Sequence, residues 1–178
     1  EGLMMRWGLV PFFAHGETPR YSTINARAET LATAASYRAP WRRGQRCLLP
    51  AAGFYEWHVA EDGGKTPWFI QATDQTVFGF AGLWDRSVRT AGSEVLSCTI
   101  VTLPANPLLA RIHNIKQRMP AILERDERDA WLGGDAALAQ RALRPYPEER
   151  LRAWPVSRQV NSPRNDGAEL IAPLDAAE

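Results

Sequence analysis

Short apolar segments separated by turn residues dominate the middle of the chain and predict a β-rich core. Strand-like runs cover residues 46–49, 68–72, 76–83 and 94–102, each rich in β-branched or aromatic side chains. Asp62-Gly63-Gly64 and Ala91-Gly92-Ser93 have the composition of hairpin loops. A further strand-like segment begins near Arg6. The sequence therefore predicts several strands joined by tight turns.

Helical patterns are fewer and lie outside this central region. They cover residues 29–35, 108–111, 125–132 and 135–143, with Asp135 as the N-cap of the last helix. Because strands cluster in the middle instead of alternating with helices, the predicted class is α+β, with a mostly antiparallel, barrel-like sheet and flanking helices. A length of 178 residues suits a single domain over residues 1–178. We expect residues 157–178 to form an extended tail packed on that domain.

Composition narrows the functional classes only slightly. The formal charge of +1 identifies no partner, and no apolar run approaches the length of a membrane span, so we expect a cytoplasmic protein without membrane contact. Lys65 and Lys116 are the only lysines, and arginine supplies the other positive charges. Cys47 and Cys98 lie in apolar segments and are expected to be buried free thiols. The histidines and cysteines have no metal-ligand spacing, so we predict no metal and no cofactor.

Gly53-Phe54-Tyr55-Glu56-Trp57 places one carboxylate among three aromatic rings, directly after a strand-like run. Desolvation by the rings would raise the pKa of Glu56 toward the range in which a carboxyl group both gives and takes a proton. A half-buried strand end with Glu56 in solvent is the structural alternative. Glu56 is therefore a candidate acid/base group.

Two other polar segments carry candidate chemistry. If residues 24–30 are extended, Asn25 and Arg27 share one face; otherwise Asn25 caps a helix that contains Glu29 in its first turns. The basic segment 111–120 contains His113, the side-chain type that most often transfers protons near neutral pH. A single histidine also has ordinary structural roles. The residue types alone therefore do not decide whether segments 24–30 and 111–120 have a catalytic or a structural role.

The order and wording of these segments resemble the SRAP family, the SOS response-associated peptidases that shield abasic sites in DNA. The resemblance rests on five motifs and extends into the tail through Val160-Asn161 and Leu170-Ile171-Ala172-Pro173. The motifs are Arg6-Trp7-Gly8-Leu9-Val10-Pro11, Asn25-Ala26-Arg27-Ala28-Glu29-Thr30, Cys47-Leu48-Leu49-Pro50-Ala51-Ala52-Gly53-Phe54-Tyr55-Glu56-Trp57, Phe80-Ala81-Gly82-Leu83-Trp84, and Ile112-His113 followed by Arg118-Met119-Pro120.

The resemblance implies a monomeric DNA-repair enzyme that binds single-stranded DNA and captures abasic sites covalently. In that family an N-terminal cysteine condenses with the sugar aldehyde to give a thiazolidine crosslink. By resemblance, Glu56 moves protons, His113 assists ring opening or reversal, and Asn25 positions the nucleophile. Arg27 and Arg118 would contact phosphates, Arg6 would add a basic contact, and Trp7 would stack on a base unless it lies in the core. The protein would associate with the nucleoid when bound to DNA.

The family's N-terminal cysteine is the one missing element. The printed sequence starts with Glu1-Gly2, and Cys47 and Cys98 have no free α-amine. We expect an omitted N-terminal part, because Asn25, Glu56 and His113 are all present, and we expect the printed polypeptide alone not to form the thiazolidine crosslink. Loss of the chemistry in this homologue is the other interpretation. A thiol-dependent peptidase and a non-catalytic single-stranded nucleic-acid-binding module remain functional alternatives.

Overall fold

The computed structural model describes residues 2–174 as two compact units, each formed by three stretches of chain. The first unit contains the residues up to Pro50, Gly79–Leu103 and Pro120–Pro145. The second contains Ala51–Phe78, Pro104–Met119 and the residues from Tyr146 onward. Each unit is therefore built from segments that are distant in sequence.

Strands and a few short helices make up both units, which confirms the α+β class. Within residues 2–174 the strands are β1 (Arg6–Trp7), β2 (Asn25–Arg27), β3 (Arg46–Ala51), β4 (Phe54–Val59), β5 (Lys65–Ala72), β6 (Phe78–Val88), β7 (Glu94–Pro104), β8 (Arg118–Pro120), β9 (Ile122–Leu123) and β10 (Leu151–Pro155). The α-helices are α1 (Arg38–Arg42), α2 (Pro107–Ile112), α3 (Arg128–Gly133) and α4 (Ala136–Ala142).

The larger sheet is built around the long hairpin of β6 and β7, which pair antiparallel from Gly82 opposite Ile100 to Val88 opposite Glu94. β1 and β2 both pair with β7 in parallel, and β9 pairs with β6. The path of paired strands runs β1-β7-β6-β3 and is open, so this sheet does not close into a barrel. Gly92 has φ +86 in the hairpin loop, a conformation that glycine adopts without strain.

The smaller sheet belongs to the second unit and has the order β10-β5-β4, with antiparallel pairing throughout. β4 and β5 form the hairpin predicted around Asp62-Gly63-Gly64, and Gly63 has φ +81 there. β4 is an edge strand, because its second side has no strand partner within the described residues. One backbone edge of β4 is therefore available to side chains from outside the sheet.

Each unit has its own apolar core. Leu9, Leu83, Leu123 and Trp131 are fully buried in the first unit, and Ile70, Leu109 and Met119 are fully buried in the second. Each such side chain stabilises its unit by roughly 1.5 to 3 kcal/mol through burial of apolar surface. Trp68, Trp84 and Trp154 are half-buried.

The helix predictions are confirmed in part. Asp135 is the N-cap of α4, where its side chain accepts a hydrogen bond from the backbone N–H of Leu138 at 2.8 Å. The prediction over residues 29–35 is wrong, because that stretch contains a 3₁₀ helix, Ala28–Thr30, followed by turns. Arg27 precedes this turn in extended conformation and makes no side-chain cap. No helix within residues 2–174 is long and apolar enough to cross a membrane.

The tail predicted over residues 157–178 contacts the second unit up to its last described residue, Leu174. Trp154 donates from its indole nitrogen to the carbonyl oxygen of Ile171 at 2.8 Å, and Val156 forms a β-bridge with Pro173. Two 3₁₀ helices, Arg158–Asn161 and Ala168–Ile171, interrupt the expected extended conformation. Residues 175–178 lie outside the described residues.

Candidate functional site

Glu56 lies in the middle of the edge strand β4, opposite Trp68 on β5. Its side chain is 21% exposed, so it is neither a solvent-facing strand end nor a fully buried group. Burial raises the pKa of Glu56, and this effect outweighs the charges of His113 and Lys116 and the backbone hydrogen bond of Trp57, which all lower it. The direction of the pKa change is the one predicted from the aromatic neighbours.

His113 follows directly after α2, a helix that packs against β4. Its Nδ1 lies 3.0 Å from the carbonyl oxygen of Arg118 and 3.5 Å from Oε2 of Glu56. A carbonyl oxygen only accepts, so Nδ1 carries the hydrogen and donates it to Arg118. In the neutral ring Nε2 is then the nitrogen that accepts a proton. The structure thus brings together two of the three predicted catalytic residues, which are 57 positions apart in the sequence.

Asn114 joins the turn after α2 to the open edge of β4. Its Oδ1 accepts from the backbone N–H of Val59 at 3.0 Å, and its Nδ2 donates to the carbonyl oxygen of Val59 at 2.8 Å. A side-chain amide has the same donor and acceptor as a peptide group, so Asn114 occupies the position that a neighbouring strand would take. This pair of hydrogen bonds fixes the residue next to His113 on the strand that carries Glu56.

A cavity of about 610 Å³ adjoins the Glu56–His113 pair. Its volume is in the range typical of small-molecule sites. Trp57 is half-buried and lines this cavity, where its indole nitrogen donates to Oδ1 of Asn161 at 2.9 Å. The complete lining is Glu56, Trp57, Val59, Lys65, His113, Ile115, Lys116 and Asn161. We call this space the Glu56 cavity.

The remaining predicted site residues of the first unit lie at its surface. Asn25 and Arg27 are exposed on β2 with Ala26 buried between them, so the extended alternative for this segment is the one observed. Trp7 is 55% exposed rather than part of the core, and its indole nitrogen donates to the carbonyl oxygen of Ile24 at 2.8 Å. Arg6 is also exposed and donates to the hydroxyl of Thr18 at 2.7 Å.

Arg118 belongs to the second unit, at the start of β8, and is half-buried. Its backbone carbonyl oxygen orients the ring of His113, as described above. Arg118 therefore contributes to the site through its main chain, a role that its residue type could not indicate.

A second cavity, of about 260 Å³, lies within the first unit and combines arginine with exposed aromatic rings. Phe12 and Phe13 are 42% and 44% exposed, and the guanidinium carbon of Arg43 lies 4.8 Å from the ring centroid of Phe12. Its complete lining is Phe12, Phe13, Ala35, Arg38, Ala39, Arg42 and Arg43. We call this group the Arg/Phe cavity. The sequence analysis did not single it out, although three arginines in residues 38–43 were a visible signal.

The two cysteines are poorly suited to nucleophilic work. Both are free thiols, and burial raises the pKa of Cys47 to about 12 and also raises that of Cys98. A thiolate, not a thiol, is the nucleophile, so such pKa changes lower reactivity. Among the described residues, no group of three or more His, Cys, Asp or Glu side chains is arranged to hold a metal ion.

The sequence profile of the family described as SOS response associated peptidase (SRAP) matches residues 1–163. The chain belongs to the SRAP family. The family predicted from the five motifs is thus confirmed, over a stretch that includes the Glu56 cavity and the Arg/Phe cavity.

Similar proteins support this membership. The abasic site processing protein YoqW of Bacillus subtilis (strain 168) is 39% identical over 170 residues, which cover 94% of this chain and 74% of that protein. The abasic site processing protein HMCES of Gallus gallus is 35% identical over 195 residues, 96% of this chain and 57% of that protein. A crystal structure of a protein from Bacteroides thetaiotaomicron superimposes with a TM-score of 0.87 at 31% identity, covering 96% of this chain and 75% of that one.

Within this SRAP chain, the motif residues and the cavity residues overlap only in part. Glu56, Trp57 and His113 belong to the motifs that indicated the family. Lys65 and Lys116 lie outside them; they are the only lysines of the chain, and Lys116 also belongs to the basic segment 111–120. Asn161 was noted as part of the resemblance in the tail, with no role assigned to it.

Proposed function

We propose that this chain binds single-stranded DNA and processes abasic sites at the Glu56 cavity. The observation that carries the proposal is the pairing of Glu56 and His113, 3.5 Å apart, at a cavity large enough for a sugar. Membership of the SRAP family, with relatives named abasic site processing proteins, supplies the substrate class.

The chemistry is covalent capture of the ring-opened sugar aldehyde. The α-amine of an N-terminal cysteine, which the printed sequence does not contain, adds to the aldehyde and loses water to form an imine, and the vicinal thiol closes a thiazolidine ring. An α-amino group has a reference pKa of about 7.7 to 8.0 and is therefore partly neutral near physiological pH. Asn25 would position this residue through hydrogen bonds.

Proton transfer is the contribution expected of Glu56 and His113. The carbinolamine must lose its hydroxyl group as water, which requires an acid, and the attacking amine must lose a proton, which requires a base. Because burial raises the pKa of Glu56, its carboxyl group holds a proton nearer to neutral pH than an exposed carboxyl does. Nε2 of His113 is free to exchange protons during ring opening or reversal of the crosslink.

The DNA strand would be held by phosphate contacts and base stacking, which require little sequence readout. Arg6, Arg27 and Arg118 are the proposed phosphate contacts, and the exposure of Trp7 suits a stacking role. The Arg/Phe cavity has the same composition, since guanidinium groups bind phosphates and aromatic rings stack on bases. Its arginines and phenylalanines are further candidate DNA contacts of the first unit, in addition to the residues chosen from the sequence.

The alternatives differ in what they require of the same residues. A peptidase needs an activated thiol, and burial of Cys47 and Cys98 acts in the opposite direction, so it would also depend on a residue beyond those described. A non-catalytic binding module needs the arginines and aromatic rings but has no use for a half-buried carboxyl group with a raised pKa.

The test is incubation of the full-length protein with a single-stranded oligonucleotide that carries one abasic site. An adduct that survives denaturation is expected, and Glu56→Gln should slow its formation by roughly 100-fold, the usual size of a lost acid/base contribution. Glu94→Gln, which changes an exposed carboxylate ion-paired with Arg86, is the matched control and should not alter the rate.

Three outcomes separate the candidate functions. No adduct from protein with an intact N-terminal cysteine contradicts the proposal. Peptide cleavage without DNA capture favours the peptidase. Reversible binding of DNA that is indifferent to Glu56→Gln and His113→Ala favours the binding module.

A further inference from the structure

The only two lysines of the chain both line the Glu56 cavity. The sequence has nineteen arginines and two lysines, and both lysines, Lys65 and Lys116, line the cavity that contains Glu56 and His113. A guanidinium group stays protonated in proteins, whereas an ammonium group can lose a proton and become a nucleophile. Both side-chain amines of this chain thus lie at the cavity that contains Glu56 and His113.

Lys116 lies in a turn that is fixed at several points. The backbone N–H of Gln117 donates to the carbonyl oxygen of His113 at 2.8 Å, and Gln117 has φ 49, which closes the turn around Lys116. Two residues before Lys116, Asn114 makes both of its hydrogen bonds to Val59 of β4. The turn therefore presents Lys116 to the cavity from a defined backbone position.

Lys116 is also the lysine whose charge acts on Glu56. The neighbouring charges of His113 and Lys116 lower the pKa of that carboxyl group, although burial raises it more. Glu56, His113 and Lys116 line the same cavity, so the carboxylate of Glu56 or Nε2 of His113 can take up the proton that the Lys116 nitrogen loses when it adds to an aldehyde.

We propose that Lys116 is an amine nucleophile that forms an imine with the abasic sugar aldehyde and leads to cleavage of the DNA strand by β-elimination. This second activity rests on the proposed function, because it requires an abasic site in the Glu56 cavity. It needs no N-terminal cysteine and leaves no stable crosslink on the protein. The chain would then have a lyase activity in addition to covalent capture.

The reaction balances without a further reagent. The neutral amine of Lys116 adds to C1′ of the aldehyde to give a neutral carbinolamine. The carbinolamine takes one proton from the carboxyl group of Glu56 or from protonated His113 and loses one water, which gives a protonated imine. A base, Glu56 or Nε2 of His113, removes a proton from C2′. The C3′–O bond breaks and its electron pair leaves with the phosphate oxygen, which gives a 5′-phosphorylated fragment and an unsaturated imine. Hydrolysis consumes one water and returns the amine.

The experiment traps the imine in the 178-residue chain with sodium borohydride and a single-stranded oligonucleotide that has one abasic site. Peptide mapping by mass spectrometry should locate the reduced adduct on Lys116. Lys116→Arg keeps the positive charge but removes the amine, so trapping and strand cleavage should both fall by at least about tenfold. Binding of the uncleaved oligonucleotide should change by less than about twofold, since the charge remains.

Arg152→Lys is the matched control for adventitious trapping. Arg152 is exposed on β10, at the opposite edge of the smaller sheet from β4, and the substitution places a new amine outside the residues that line the cavity. The parent chain's adduct on Lys116 together with no adduct at position 152 supports the proposal. Equal trapping at position 152, an adduct found mainly on Lys65, or unchanged cleavage by Lys116→Arg overturns it.

Failure of this inference is distinguishable from failure of the proposed function. If the chain prefers abasic over intact oligonucleotide and yields no lysine adduct, the lyase activity is excluded while the proposed function stands. If the chain has no preference for abasic DNA and the full-length protein forms no adduct without borohydride, both are excluded.

Discussion

Asn114→Ala removes the side chain that connects the turn after α2 to the open edge of β4. Two hydrogen bonds are lost, from the N–H of Val59 at 3.0 Å and to its carbonyl oxygen at 2.8 Å. Each is worth about 1 kcal/mol net in a folded protein, which sums to about 2 kcal/mol. Both residues are half-buried, so water reaches part of the released backbone and the expected loss of unfolding free energy is about 1 to 2 kcal/mol.

The loss should also affect chemistry, because Asn114 is adjacent to His113. We expect adduct formation to slow by roughly tenfold, corresponding to about 1.4 kcal/mol of lost positioning. Asn114→Asp keeps an acceptor for the N–H of Val59 but places a carboxylate oxygen against the carbonyl oxygen of Val59. This variant should be at least as destabilised as Asn114→Ala and should not restore the rate.

Urea unfolding, followed by both tryptophan fluorescence and circular dichroism, measures the stability change. Coincident transitions by the two probes are needed before the midpoint is converted into a free energy. Asn165→Ala is the matched control in the same unit, because the Nδ2 of Asn165 makes one exposed hydrogen bond to the carbonyl oxygen of Gln159 at 2.8 Å. Asn165→Ala should lower the free energy of unfolding by less than about 0.5 kcal/mol. Equal losses of unfolding free energy in Asn114→Ala and Asn165→Ala would refute the stabilising role of the two Asn114–Val59 hydrogen bonds.

Three further variants, one of them a double substitution, test separate parts of the structure. The pKa of Glu56 is raised in the folded protein, so ionisation of Glu56 lowers the free energy of unfolding as the pH rises above the unfolded pKa of about 4.3. Glu56→Gln should therefore be more stable than the parent at neutral pH. Below about pH 4 the two proteins should be equally stable. Arg38→Gln with Arg42→Gln should weaken binding of intact single-stranded DNA and reduce the slope of log affinity against log salt by about 1.4, if each arginine contacts one phosphate. Gly53→Ala would place its Cβ 2.1 Å from the ring of Phe69, so the unfolding midpoint should fall by the equivalent of about 1 to 3 kcal/mol.

Each of these predictions has a contradicting result and a control. A Glu56→Gln variant that is less stable than the parent at pH 7 contradicts the assigned pKa direction. Arg86→Gln, the control for the Arg38→Gln and Arg42→Gln variant, breaks an exposed ion pair with Glu94 in the same unit as the Arg/Phe cavity. If Arg86→Gln changes the slope of log affinity against log salt by an equal amount, the effect reflects only the general loss of positive charge. Gly133→Ala has open space around the new Cβ and should not destabilise; equal losses would mean that the Phe69 contact is unimportant.

The fold was predictable where the conformation of a segment is set by its own residues and does not depend on contacts with distant segments. Runs rich in β-branched or aromatic residues located β5, β6 and β7, and the turn glycines located both hairpins, because φ above zero at Gly63 and Gly92 is a local requirement. β4 was interpreted only as a possible strand end, since Glu56 and His58 interrupt its apolar pattern. Its strand conformation depends on pairing with β5, a contact that follows from the hairpin and not from the composition of β4 itself.

The site was predictable from single residues but not as a group. The aromatic neighbours of Glu56 indicated a carboxyl group with a raised pKa, a property of adjacent sequence. The position of His113 beside it depends on the packing of α2 against β4, which no local pattern encodes. Lys116 lies in the basic segment 111–120, but only His113 was singled out there, because a single lysine in a basic segment is the ordinary composition of a solvated turn.

The environment of Glu56 suggests why a half-buried position is retained for this residue. In full solvent, with the charges of His113 and Lys116 nearby, its pKa would lie below the usual carboxyl range and the group would be a weak base. Fully buried without those charges, it would stay protonated and could not accept a proton. Burial and the two neighbouring charges act in opposite directions, and burial dominates. Burial thus makes the carboxylate of Glu56 a stronger base than an exposed carboxylate. Imine formation uses such a group twice, because one group must take a proton from the amine and later give one to the leaving water.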